Sequence, residues 1–132
     1  MAAACGHRFF YWRIVRMWRF LYPVSPVFVF ARSAGERQLA RELGADWAGD
    51  SEASPPEPCS AIIDTTPAWR PVLAALERLQ PGGRLVINAI RKEAGDREVM
   101  AGLSYDRHLW MEKELKSVAN VTRADVQADS RQ

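Results

Sequence analysis

The chain has 132 residues, 48% of them hydrophobic and 26% charged, which is enough apolar material for the core of one small domain. A net charge of +2 gives no whole-chain case for nucleic-acid binding, and no apolar run approaches the roughly 20 residues that a membrane-crossing helix needs. Two cysteines, Cys5 and Cys59, exclude a four-thiolate zinc lobe and argue against a disulfide framework.

Charge is unevenly placed. No acid precedes Glu36, whereas Arg8, Arg13, Arg16 and Arg19 give the first 26 residues +4 and leave −2 for the rest. Residues 1–25 therefore form a basic and aromatic segment, Arg8 to Tyr22 at its centre, with three readings open. At helical spacing Arg8, Arg16 and Arg19 share a face opposite Phe9, Trp12 and Phe20, as in a membrane-surface helix, although Arg13 fits that face poorly. Basic residues among aromatics also suit single-stranded nucleic acid. A structural cover on a sheet edge is the third.

From Pro26 the pattern becomes regular. Val27-Phe28-Val29-Phe30, entered from a proline and closed by Arg32-Ser33, suits a buried parallel strand. A helix follows, with Ser33 as cap, Glu36 three residues on as in a capping box, and Leu39, Ala40 and Leu43 at helical spacing. Gly44 stops it, and Ala45–Ala48 reads as the next short strand. Residues 49–58, with three prolines in four positions near the end, read as an exposed loop.

The alternation then resumes. Ser60–Asp64 is a short apolar strand, Thr65-Thr66-Pro67 a turn, and Val72, Leu73, Leu76 and Leu79 mark a helix. Pro81-Gly82-Gly83 is a tight turn into a strand over Arg84–Ala89. Residues 91–108, broken by Gly95 and Gly102, read as a loop or short helices over the sheet edge, and Leu115–Val121 as a last strand. Repeated strand and helix with short turns predicts an α/β fold: a Rossmann-like parallel sheet of about five strands with flanking helices. Residues 125–132 form a polar tail.

Several of these pieces resemble, in order and spacing, the cofactor domain of the zinc-dependent, medium-chain alcohol dehydrogenases. They are Val27–Ser33, Gln38–Trp47, Ser60–Asp64, Pro81–Val86 and Leu109-Trp110 leading to Leu115–Arg123, covering about 95 residues. The resemblance implies an oxidoreductase of the cytoplasm that interconverts alcohol and aldehyde, with a nicotinamide dinucleotide carrying the hydride and a zinc ion polarising the oxygen. It assigns residues 26–124 to a partial NAD(P)-binding domain.

Two departures from the family accompany it. The zinc ligands of such enzymes belong to a separate N-terminal barrel domain, and neither Cys5, Cys59, His7 nor His108 has the matching surroundings, so no metal site is expected. The sheet is expected to be incomplete at its N-terminal strand and glycine loop, because only Gly6 precedes Pro26 where a glycine-rich phosphate turn belongs. An altered reading frame or a mis-joined start is the favoured account of residues 1–25. By resemblance the chain is a dehydrogenase domain truncated at both ends and inactive alone.

The position after the second strand reads the adenine ribose: an acid there suits a 2′-hydroxyl, and Arg or Ser a 2′-phosphate. Arg32, Ser33 and Arg37 therefore favour NADP over NAD, with solvated surface charge as the alternative for both arginines. Asp64 and Thr65, and Asn88 and Ala89, lie at strand ends that by resemblance pass near the nicotinamide ribose; a turn cap and plain strand termination are their alternatives. His108 beside Asp106 is expected to have no catalytic role, and Trp47, Trp69 and Trp110 are expected to be packing residues. Homodimer pairing through the last strand is implied by the family; nucleic-acid and membrane partners are not. A methyltransferase-like domain, supported by Pro81–Val86 and opposed by Arg32, and a non-enzymatic membrane- or partner-binding protein using residues 8–22 remain as alternatives.

Overall fold

In the computed structural model, residues 2–4, 20 and 25–118 are described. Most of the basic-aromatic segment and residues 119–132, with the polar tail and the end of the expected last strand, lie outside them.

Among the described residues six parallel strands form one sheet: β1 (Ala2–Ala4), β2 (Phe28–Phe30), β3 (Trp47–Gly49), β4 (Cys59–Asp64), β5 (Leu79–Ile87) and β6 (Glu114–Ser117). Their order across the sheet is β3-β2-β1-β4-β5-β6, the arrangement of a doubly wound dinucleotide fold, whose strand order reverses between β1 and β4. The expected Rossmann-like sheet is present with one strand more than foreseen. Ala2–Ala4 fills the central position, pairing with Phe28–Phe30 on one side and Ile62–Asp64 on the other. Three alanines carry neither β-branching nor alternation, so only pairing with both neighbours reveals them as a strand.

Both faces of the sheet are covered, which is why the strands read as continuous apolar runs. Phe28 and Phe30 point to a core shared with Cys59, Ile62 and Leu85 and with Val72, Ala75 and Leu76 of helix α2 (Arg70–Arg78). Val29 and Ala31 point the other way, to Ala40 of helix α1 (Ala34–Glu42) and Ala48. Trp47 packs edge-on to Phe28 and Phe30, with ring centroids 6.1 and 5.2 Å away, and Trp69 is half-buried against the same core. Trp110 corrects the packing expectation: it is 54% exposed, stacked edge-on with Tyr105.

Helix α1 ends as its sequence requires. Gly44 takes φ +102°, and the Gly44 and Ala45 amides donate to the Arg41 and Ala40 carbonyls, closing the last turn. The Pro81-Gly82-Gly83 turn lies inside β5, where Cys59 pairs with Leu79 but Ala61 with Arg84, so the intervening residues bulge out of the ladder. Gly82 has φ +72°, and a Cβ on Gly83 would come within 2.8 Å of the Gln80 carbonyl oxygen, so neither position accepts a side chain without strain. The strand ends at Ile87, two residues earlier than its sequence suggests, leaving Asn88 and Ala89 beyond it. β6 is paired on one side with Arg84–Ile87, and all four of its residues are exposed.

Candidate functional site

Parallel strands bring the ends of β2, β4 and β5 to one edge of the sheet, where open α/β folds bind ligands. The turn after β2 is built locally. Ser33 Oγ accepts from the Glu36 amide at 3.1 Å, the cap its spacing foretold. Arg37 Nη1 donates to the Ala31 and Arg32 carbonyls at 2.8 and 2.7 Å. Part of the Arg37 fork thus braces the turn from within, whereas the exposed Arg32 guanidinium makes no ion pair or side-chain hydrogen bond among the described residues.

The ends of β4 and β5 are joined by longer connections. Asp64 is 1% exposed; its Oδ1 accepts from the Thr66 amide at 2.9 Å and hydroxyl at 2.8 Å, and its Oδ2 pairs with Lys92. Lys92 Nζ also donates to the Thr66 and Ala68 carbonyls, each at 2.8 Å, and lies 5.7 Å from the Trp69 ring centroid. The buried carboxylate is therefore a turn cap with a buried counter-charge, and Thr65 sits half-buried on the same turn. Asn88, exposed, donates its amide to the Asp64 carbonyl at 2.8 Å, with the half-buried Ala89 beside it.

Asp96 extends this connection. Its carboxylate accepts from the Trp69 and Arg70 amides at 3.0 and 2.8 Å, capping α2 from 26 residues away. Burial raises the carboxyl pKa, but these amides outweigh it and hold the group below its ordinary value.

Between the β2 and β4 ends lies a cleft of about 260 Å³. Phe30, Ile62, Pro71 and Ala75 give it apolar walls; Thr66, Pro67, Ala68 and Glu93 form its far side, and Arg32 and Glu36 stand on the β2 side. Arg78 also lines it, its guanidinium 4.5 Å from the Phe30 ring centroid and donating to the Ser51 carbonyl at 2.7 Å. Burial lowers the Arg78 pKa, offset in part by neighbouring acids. An apolar slot with a cation at its mouth can take a flat ring carrying an anionic substituent.

Of the three residues expected after β2, Arg32 lines this cleft, whereas Ser33 and Arg37 lie on the same turn but outside its lining; Asp64, Thr65, Asn88 and Ala89 lie at the ends of β4 and β5 along the adjoining edge. Sequence reasoning passed over Thr66, Arg78, Lys92 and Glu93. Lys92 lies in Arg91-Lys92-Glu93, which reads as a solvated charge run; the one usable signal was Asp64, an acid in step with buried Ile62 and so in need of a partner.

His108 is 2% exposed and packs under α2. Its Nδ1 lies 2.8 Å from the Ser104 amide nitrogen and 2.9 Å from the Ser104 carbonyl oxygen, and its Nε2 3.1 Å from Glu77 Oε1, contacts that anchor residues 105–109. Cys59 is buried, and burial pushes its thiol pKa up. Among the described residues no group of three His, Cys, Asp or Glu could hold a metal ion, so they do not fit a zinc centre. No helix among them is long and apolar enough to cross a membrane.

No protein-family model matches the chain. Probable alcohol dehydrogenase AdhA of Mycobacterium tuberculosis (strain CDC 1551 / Oshkosh) is 39% identical over 104 residues, covering 79% of this chain and 29% of that protein. Two crystal structures assigned as zinc-binding dehydrogenases share the fold. One, from Clostridium scindens ATCC 35704, has TM-score 0.76 and 19% identity over 96% of this chain and 38% of its own. The other, from Sinorhizobium meliloti 1021 and bound to NADP, has TM-score 0.72 and 20% identity over 98% and 40%. The chain spans about three-tenths of the length of the curated relative it matches.

Proposed function

Since the chain belongs to the alcohol dehydrogenase family and spans part of a member's length, we propose that it is a partial cofactor domain whose cleft takes the adenosine end of a nicotinamide dinucleotide. The observation that carries this reading is the cleft between the ends of β2 and β4, apolar within and bordered by the Arg32 guanidinium, which makes no ion pair among the described residues. The adenine ring fits between apolar walls, and Arg32 with the Ser33 hydroxyl meets the ribose substituent. A 2′-phosphate gains a charge-assisted pair there, so NADP is preferred over NAD. Arg37 contributes what its carbonyl contacts leave free.

Asp64, Thr65, Asn88 and Ala89 border the path toward the nicotinamide ribose, Asn88 and Ala89 through backbone groups. Bound cofactor would supply hydride transfer between an alcohol and an aldehyde carbon. By the same reading the chain alone binds cofactor without turning over alcohol. A cytoplasmic location belongs to the same reading.

Isothermal titration with NADPH, NADH and S-adenosylmethionine tests it. The expected result is preferential binding of NADPH, lost in Arg32→Asp. Binding of S-adenosylmethionine alone would favour the methyltransferase reading, and silence from all three with a folded chain would end the cofactor proposal.

A further inference from the structure

The loops after β4 and β5 are separate in sequence, yet four independent contacts join them. Lys92 Nζ reaches the Asp64 carboxylate and the Thr66 and Ala68 carbonyls. The Glu93 amide donates to the Pro67 carbonyl at 2.8 Å, the Asn88 amide to the Asp64 carbonyl at 2.8 Å, and Asp96 caps α2 at Trp69 and Arg70. An ammonium group has three donors, and Lys92 has three acceptors in place, only one of them charged. Such saturation is unlike a surface lysine, and the side chain is 11% exposed.

The acceptors matter as much as the pair. Thr66 and Ala68, whose carbonyls Lys92 binds, and Pro67 between them line the cleft, as does Glu93, its chain neighbour. We infer that Lys92 is a positioning residue, a clasp that holds the loops after β4 and β5 together as one wall of the cleft. The wall then moves as a unit, and the adenosine side of the cleft is mechanically tied to the Asn88-Ala89 edge. Only the identity of the ligand in this inference rests on the proposed function; the joining of the loops does not.

Hydrogen exchange on the full chain tests the clasp without ligand. In Lys92→Met, amides of residues 65–70 and 88–97 are expected to exchange together, about tenfold faster than in the parent, while β2 and the centre of α2 are unchanged. Lys92→Arg is expected to restore part of the protection. Unchanged exchange, acceleration of residues 88–97 alone, or uniform acceleration of the whole domain in a folded variant would overturn the inference. If Lys92→Met does not fold, the Asp64→Asn/Lys92→Met pair, which removes both charges, serves instead with the same expected and contrary outcomes. NADPH affinity is then measured on the folded variant: the clasp predicts weakening of about tenfold. Parent affinity retained in a variant with opened loops would refute the positioning role, and absence of NADPH binding by the parent would sink the proposed function while exchange still decides the clasp.

Discussion

The two sides of the cleft are held by opposite means. On the β2 side the side-chain bonds that brace the turn are short-range: Ser33 with Glu36 and Arg37 with Ala31 and Arg32 span three to six residues. On the β4 and β5 side Lys92 and Asp96 reach back 24 to 28 residues to Asp64, Thr66, Ala68, Trp69 and Arg70. A wall built from local bonds forms with its helix; one built from distant bonds forms only when the whole edge is assembled, so it is the more cooperative and the more vulnerable to single changes.

Asp64→Ala is the most severe way to strain this contrast. It leaves the Lys92 ammonium buried without its counter-charge and is expected to cost about 3–5 kcal/mol in urea unfolding, a loss that would unfold many small domains. Asp96→Asn comes next, at about 1 kcal/mol, because the charged acceptor of two helix amides becomes a neutral one. This cost depends on pH. The folded-state pKa of Asp96 lies below its ordinary value, so its contribution is complete above about pH 4 and fades as pH falls through the folded value. Parent and Asp96→Asn stabilities should therefore converge in acid; divergence there would contradict the capping role.

Ser33→Ala, on the local side, is expected to cost about 0.5–1 kcal/mol, confined to α1, with hydrogen exchange at residues 65–70 unaltered. Smallest of all is Glu114→Gln. The Arg84–Glu114 pair across β5 and β6 joins two half-exposed side chains, and thermal denaturation is expected to show no measurable shift at physiological salt.

The same contrast explains what could be read in the chain. Ser33, Glu36 and Gly44 announce α1 through offsets of a few residues, and alternate Phe28, Val29 and Phe30 announce a strand covered on both faces. The resemblance to the dehydrogenase family was carried by such local pieces, and the curated relative confirms it. Lys92 could not be identified from its neighbours, because its partners lie on another loop. Ala2–Ala4 was illegible for a different reason: its place in the sheet is fixed by pairing with β2 and β4 and by nothing in the side chains. The contact between Arg37 and two carbonyls was equally hidden, although the residue itself was singled out.

Hydrogen exchange of the unmodified chain with and without excess NADPH tests most directly whether the dinucleotide sits in the cleft between β2 and β4. Slowed exchange at residues 31–37 and at 66–68, with Glu93 among the protected amides and β6 unchanged, is the predicted result. Protection elsewhere, or none at millimolar NADPH from a folded chain, would contradict it.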